Sequence, residues 1–543
     1  MSTSGAGMGL SLYEELRLAL PDQLPAYLLA QRWFGGKARQ IRATELADLV
    51  PLRTGQVDAV LLLVRVEYES GPGDTYALPM IVSDAAGGQS EDGQAALHIG
   101  KGISGASKFL TDALRNDSFL GWLLDAIEVK LVSKGARGEI RASYTEIFQD
   151  IRSHAGGDLP PRLLKGEQSN NSIAYGDRMI LKFFRRVQEG LNPDLEIGLF
   201  LTQKAHFARV PAVAGAFEYR AEDGGVASVG ILQRFVPNQG DAWRFTLQSL
   251  KGFWEETAKR PAGPPASAAE TANPVLSHET ALPPVATELI GPYLHEAALL
   301  GKRTAELHLA LASDPFDPGF APEPFELSFL SGLENSAREL AARNFELLRR
   351  KLDQLPREVR NQAVDILSRE SAILEKFKSL GGGKNLGLRI RIHGDYHLGQ
   401  VLYTGSDFVI IDFEGEPARP LVERRIKHSP LQDVAGMVRS FHYAAFAHLL
   451  VPDSAASQSP ARDLQKSASW AQSWYAWVVS RFLNSYFEIA QSGSFLPPSR
   501  EEISALLQVH LLEKAIYELG YELNNRPTWV GIPLAGISQL IAH

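Results

Sequence analysis

Apolar positions change period repeatedly along this chain, and each change predicts an element. Residues 11–30 carry an interrupted helical spacing. DAVLLLVRVEY (58–68) and YALPMIVS (76–83) then crowd aliphatic side chains into runs of strand length, set apart by Gly and Asp. FLTDALRNDSFLGWLLDAI, around 108–125, predicts a helix, and strands return at 127–132 and 138–141. The first 125 residues thus read as a small α+β unit. From 162, RLLKGEQSNNSIAYGDRMILKFFRR gives two strands around a Gly-Asp-Arg turn, the pattern of a hairpin. NPDLEIGLFLTQKA (192–205) follows as a helix with Pro193 early and carboxylates in its first turn, and ASVGILQRFVP (227–237) as another strand.

Residues 258–285 are rich in Ala, Pro, Ser and Thr with little apolar periodicity, which predicts a flexible surface excursion. Beyond them the spacing is mostly helical, over 293–313, 324–353, 356–379, 430–450, 467–491 and 501–525. Two strands, LRIRIHG and FVIIDFEG, interrupt that helical half, and no repeat of fixed period appears.

Length and charge narrow the classes. At 543 residues the chain exceeds one ordinary core, and 45% hydrophobic with 22% charged residues are globular values. A net charge of -8 and a pI near 6.0 provide no basic field for nucleic acid or an anionic membrane. The absence of cysteine removes disulfides, thiolate metal sites and cysteine nucleophiles together. Glu14, Glu15, Arg17 and Pro21 interrupt the N-terminal apolar stretch, so no signal peptide is expected. No run reaches the length of a membrane span, and a cytoplasmic location is expected.

The chemistry concentrates in RIHGDYHLGQVLYTGSDFVIIDFEG (391–415), which holds Asp395, Gln400 and Asp412. Phosphoryl transfer needs a held triphosphate, a held metal and a carboxylate near the attacking hydroxyl. Asp395 and Gln400 have the offset of the base and metal-binding amide in the kinase loop H-R-D-x-x-x-x-N, and Asp412-Phe413-Glu414-Gly415 stands where D-F-G would. Upstream, Lys182 in MILKFF and Glu196 in the following helix match a phosphate-contacting lysine and its orienting glutamate. GEQSNNS (166–172) has the small and amide residues of a phosphate-covering loop, with Ser169 as a contact. The strand around Gln233, Phe235 and Val236 would offer backbone groups to adenine. Singly, these residues have plainer readings, such as turn and strand-end aspartates or a lysine snorkelling from an edge strand. Their order along one chain is what favours a kinase. His393 is open to two readings, a metal ligand or a backbone-bonded brace; a zinc site lacks H-E-x-x-H, and the 13 histidines are scattered.

These residues resemble the aminoglycoside phosphotransferase-like kinases and, among them, the maltokinases found joined to trehalose synthase. The likeness spans nearly the whole chain, through LAQRWFGGKAR (29–39), LQRFVPNQGDAW (232–243), HGDYHLGQ with DFEGEPARP, DVAGMVRSFHYAA (433–445) and EKAIYELGYELNNRPTWVGIPL (513–534). It implies an α+β, bilobal, protein-kinase-like fold. An N-terminal cap subdomain would span 1–125, an intermediate subdomain with the nucleotide-binding sheet 126–237, and a mostly helical C-lobe 238–543. It implies transfer of the ATP γ-phosphate to the anomeric hydroxyl of maltose, with Mg²⁺, and an association with trehalose synthase. By matching motif, Asp395 is the base or hydroxyl-orienting carboxylate, Gln400 and Asp412 hold Mg²⁺, Lys182 contacts phosphates and Glu196 orients it. Gln400 stands where most kinases have asparagine.

Lys514, Tyr517, Glu518, Tyr521 and Asn525 recur at spacings that share one helix face. Such a face suits a sugar, with rings for its C–H surfaces and charges for its hydroxyls; a solvent face with half-buried tyrosines is the plainer reading, and the resemblance favours the sugar. Trp529 reads equally as a sugar contact or a packing anchor. QRWFGGKAR lacks the G-x-x-x-x-G-K-[ST] spacing of a phosphate loop. Other acceptors, such as glucosamine or an aminoglycoside, and a non-catalytic nucleotide-binding module remain the alternatives.

Overall fold

The structure, a computed structural model, describes residues 13–55, 58–83, 96–101, 107–154, 158–164, 170–264, 281–378, 385–417, 419–450 and 464–542. The chain divides into two compact units. One comprises Met1–Lys204, Pro211–Pro237 and Arg419–Glu423; the other comprises Ala205–Val210, Asn238–Ala418 and Arg424–His543.

The first unit contains two antiparallel sheets. Strands β1 (Ile41–Arg53), β2 (Asp58–Tyr68), β3 (Asp74–Ser83), β4 (Leu97–Lys101) and β5 (Ser107–Asp112) pair in the order β1-β2-β3-β5-β4. The run AVLLLV in β2 is continuous because both faces are buried. Leu62 and Val64 pack with Leu16, Trp33 and Phe34, while Leu61 and Leu63 pack with Phe119, Leu123 and Ile127. β1 is the strand that sequence periodicity passes over. Its alternation is broken at Asp48, beside a register irregularity that turns this carboxylate inward.

Residues 108–125 do not form the expected single helix. They divide into β5, a 3₁₀ turn at Ala113–Arg115 and helix α1 (Asp117–Glu128), whose cap Asn116 accepts the Phe119 N–H at 2.9 Å. Asn116-Asp117 is a helix start inside a run that reads as helix interior. The strand expected at 127–132 is correspondingly displaced to β6 (Val132–Lys134).

The second sheet runs β6-β7-β12-β13-β10-β9-β8, with β7 (Gly138–Tyr144), β8 (Pro161–Leu163), β9 (Asn170–Tyr175), β10 (Met179–Phe184), β12 (Val213–Ala221) and β13 (Val226–Arg234). The two-residue β11 (Arg186–Val187) pairs with β3 and joins the sheets. β9 and β10 form the hairpin expected from the Gly-Asp-Arg turn, and helix α2 (Pro193–Gln203) starts at Asn192, whose side chain accepts the Asp194 N–H. Asp48 ties the two sheets. Its Oδ1 accepts the N–H groups of Ala136 and Arg137, each at 2.9 Å, and its Oδ2 accepts the Tyr219 hydroxyl at 2.8 Å.

The second unit is mainly helical. Its longer helices include α3 (Ala242–Ala258), α4 (Tyr293–Leu311), α5 (Leu431–Leu450), α6 (Leu464–Ala490), α7 (Arg500–Asn525) and α8 (Gly531–Ile541). α3 and α8 lie outside the periodic runs, α8 because Gly531, Pro533 and Gly536 disguise it. The run 356–379 breaks into Arg357–Ser368 and Glu370–Lys378. LRIRIHG contributes only the two-residue strand Leu388–Arg389, against Glu323–Pro324, while Phe408–Ile410 pairs with Val401–Tyr403. Most of the excursion placed at 258–285, namely 265–280, lies outside the described residues, and a helix has begun by Pro284. No helix among the described residues is long and apolar enough to cross a membrane.

Replacing Asp48 with Ala removes the acceptor of three backbone N–H groups, those of Leu49, Ala136 and Arg137, and of one phenol. It is expected to lower unfolding stability by about 3 kcal/mol in urea titration.

Candidate active site

The loop carrying Asp395 rests on one face of α5. Asp433, buried in the first turn of that helix, accepts the N–H of His393 at 2.7 Å and of Gly394 at 2.9 Å, and its Oδ2 also meets His308 Nε2 at 3.1 Å. One turn on, a Cβ at Gly436 would lie 2.5 Å from the Tyr396 carbonyl, so only glycine admits the loop so close. One turn further, Ser440 Oγ accepts the Leu398 N–H at 3.2 Å. Asp433, Gly436 and Ser440 share one face of the helix, which makes DVAGMVRS the floor of the site. His308 Nδ1 meets the Tyr486 hydroxyl at 2.9 Å, extending the support from α4 to α6. Burial alone would raise the Asp433 pKa, but the His308 hydrogen bond and the surrounding donors hold it below the ordinary value.

His393 is a brace in this structure: its Nδ1 accepts the Asp395 N–H at 3.4 Å and its Nε2 donates to the Ile411 carbonyl at 2.9 Å. Gln400 ends a single 3₁₀ turn, and its amide nitrogen donates to Asp412 Oδ2 at 3.0 Å. Asp412 has a φ of 67°, a left-handed conformation rare outside glycine.

Helix α7 starts with a capping box between Ser499 and Glu502 and brings a third element to the loop. Lys514 Nζ lies 3.3 Å from Asp395 Oδ1, across 119 residues of sequence, and 4.9 Å from the centre of the Tyr517 ring. Burial would lower the Lys514 pKa, yet the carboxylates of Asp395, Glu518 and Glu416 overbalance it and raise it, so Lys514 is an ammonium. Burial, with Glu416 beside it, pushes the Tyr517 phenol up. Glu518 Oε2 takes two contacts from the buried Arg439, at 2.9 and 2.6 Å. Tyr521 is 47% exposed, with the Arg526 guanidinium over its ring. Glu522 is buried behind this face, bonded to Tyr443 and Arg526, and Trp529 stacks on Tyr443. Asp433, Glu416, Arg439 and Glu522 escaped sequence reasoning. The motifs DVAGMVRSFHYAA and DFEGEPARP held the signal, but the residues' roles come from contacts between distant segments.

In the other unit, Lys182 sits on the central strand β10, opposite Ser172 of β9 and Ile231 of β13. Its ammonium lies 3.5 Å from Asp194, in the first turn of α2, a residue not singled out from sequence. Glu196 is two positions further along the same helix. Gln233 lies in β13, and the Phe235 N–H, just beyond it, donates to the Arg178 carbonyl at 2.8 Å; Val236 follows. Ser169 falls outside the described residues. QRWFGGKAR packs: Trp33 and Phe34 meet Tyr76, with ring centres 5.9 and 5.1 Å apart, and Arg39 lies over Tyr68. Trp33 also carries the buried Arg185 guanidinium at 4.8 Å. Arg185 follows β10 directly and bonds Asp112 and Asn171, so this motif supports the end of the Lys182 strand.

Three comparisons bear on this arrangement. The solved structure of a glucosamine kinase in complex with glucosamine, ADP and inorganic phosphate matches 97% of this chain and 98% of its own, at a TM-score of 0.60 and 16% identity. A second crystal form of glucosamine kinase matches at 0.61 and 17%, over 98% of this chain and 99% of that one. In sequence, a glucosamine kinase of Mycolicibacterium smegmatis is 24% identical over 69% of this chain and 78% of its own length. One of Streptacidiphilus jiangxiensis is 25% identical over 45% of this chain and 49% of its own. The fold is that of the solved glucosamine kinases, α+β with a mostly helical C-terminal region. Residues 27–115 match the family described as the maltokinase N-terminal cap domain.

Because the Asp433 pKa is lower folded than unfolded, its stabilisation is complete above the unfolded value of 3.8 and fades as pH falls through the folded one. Asp433→Asn is expected to cost about 3 kcal/mol at neutral pH. The gap to wild type should narrow below about pH 4 in chemical denaturation.

Proposed function

We propose that this chain is an ATP-dependent sugar kinase that phosphorylates maltose at its anomeric hydroxyl, giving maltose 1-phosphate and ADP. The observation that carries this reading is the approach of Lys514 to Asp395 at 3.3 Å, which joins the polar, tyrosine-bearing face of α7 to the carboxylate of the kinase-type loop. The cap match over residues 27–115 favours maltose, and the glucosamine kinases among the relatives favour a sugar acceptor in general.

Asp395 is the residue that orients the acceptor hydroxyl and takes its proton. The hydroxyl oxygen forms a bond to the γ-phosphorus as the bond from that phosphorus to the β,γ-bridging oxygen breaks, and ADP leaves with the electron pair. Lys514 faces Asp395 Oδ1 across 3.3 Å, and Tyr517, Glu518 and Tyr521 line the sugar side. Lys182 contacts the α- and β-phosphates, with Glu196 and Asp194 on its helix partner. Ser169 reaches the triphosphate, and Gln233, Phe235 and Val236 form the adenine edge. Gln400 through its amide oxygen and Asp412 through its carboxylate would hold Mg²⁺, which prefers hard oxygen ligands; in this structure the Gln400 amide nitrogen instead donates to Asp412 at 3.0 Å. When bound, Mg²⁺ supplies neutralisation of the phosphate charge. In the same proposal residues 1–125 are the cap, 126–237 the nucleotide subdomain and 238–543 the catalytic and acceptor region. A cytoplasmic setting and association with trehalose synthase belong to it as well.

Incubation with ATP, Mg²⁺ and separate acceptors, read by phosphorus NMR, is expected to give an anomeric phosphate from maltose. A higher kcat/KM for glucosamine than for maltose would overturn the acceptor. Asp395→Asn is expected to lower kcat by about 100- to 10,000-fold while ATP affinity by calorimetry stays close to wild type.

A further inference from the structure

Two histidines flank Asp395, and the backbone uses them differently. His393 spends both ring nitrogens on main-chain groups. His397 spends only one in this way: its Nδ1 accepts the Gly399 N–H at 3.0 Å, capping the 3₁₀ turn that ends at Gln400. An Nδ1 that accepts leaves the ring proton of the neutral imidazole on Nε2. Nε2 faces Asp395 Oδ2 at 3.9 Å, while the other carboxylate oxygen, Oδ1, meets Lys514 at 3.3 Å. Glycine at 399 leaves the space that this ring direction needs. A Cβ at Gly399 would stand 2.9 Å from His397 Cε1 and 3.0 Å from Nδ1, so a side chain there would push the imidazole off its amide.

We propose that His397 is a positioning residue for phosphoryl transfer: its Nε2–H, aimed by the Gly399 amide, and the Lys514 ammonium address opposite oxygens of Asp395 and set the carboxylate plane for the acceptor hydroxyl. The inference rests on the reading of Asp395 as the residue that receives the hydroxyl proton. At 3.9 Å the imidazole acts on Oδ2 as a dipole or through one bridging water rather than by a direct hydrogen bond. Rotation of an unrestrained carboxylate about its Cβ–Cγ bond would move the accepting lone pair by an ångström or so, a displacement of the kind that costs on the order of 100-fold in rate.

Asparagine and glutamine separate this role from a mere turn cap. His397→Asn keeps an oxygen that can accept the Gly399 N–H but loses the distal donor; His397→Gln puts an amide N–H near the place of Nε2. His397→Asn is expected to lower kcat by about 10- to 100-fold, with KM for ATP and Tm near wild type, and His397→Gln to recover most of that loss. Gly399→Ala, which displaces the same ring, is expected to cost a similar factor in the wild type and little more in the His397→Asn background. The proposal is overturned if His397→Asn turns over at the wild-type rate, if Gln rescues nothing, or if the kcat loss follows a fall in Tm. Asp395→Asn, assayed in parallel, distinguishes the failures. An inactive Asp395→Asn beside a fully active His397→Asn removes only the positioning role, whereas an active Asp395→Asn removes the functional reading beneath it.

Discussion

One buried carboxylate organises the loop that carries Asp395. Asp433 takes two consecutive backbone N–H groups of the loop before Asp395, and it remains ionised against the cost of burial because those donors and His308 surround it. Everything downstream inherits its position. The loop lies on α5 because Asp433 holds one end, Gly436 leaves room for the Tyr396 carbonyl and Ser440 holds the next turn. With the loop placed, His393 can brace Asp395 from behind and the Gln400 turn can reach Asp412.

The first unit solves a similar problem by the same means. Asp48 sits at an irregularity in β1 and satisfies three backbone donors and the Tyr219 hydroxyl, and so fastens the first sheet to the second. Arg185 does the complementary work with a buried cation, answered by Asp112 and stacked on Trp33. In each case a charge is taken out of water only where several partners meet it, since a buried ion with fewer would destabilise the fold. The motif LAQRWFGGKAR is thereby tied to the end of the strand that carries Lys182.

The acceptor side differs in character. The α7 face combines an ammonium, half-exposed phenols and a carboxylate already partnered by Arg439, in place of a continuous apolar wall. In the proposed function such a surface would meet hydroxyl groups by direction and sugar rings by their C–H faces.

Much of this was legible in the sequence. Most of the long helices, α3 and α8 aside, the β9–β10 hairpin and the shared face of Lys514 and Tyr517 follow from periodicity, turn chemistry and spacing, all of which are local. Boundaries failed where local signals conflicted, as at Asn116-Asp117, where a cap interrupts an apparent helix, and at Asp48, where a polar residue hides a strand. Tertiary structure alone decided that Lys514 meets Asp395 across 119 residues, that Asp194 stands beside Lys182, and that Asp433 carries the loop. The reason is that hydrophobic period and propensity act within a few residues of one another. The partner of a buried charge is chosen by which distant segments packing brings together.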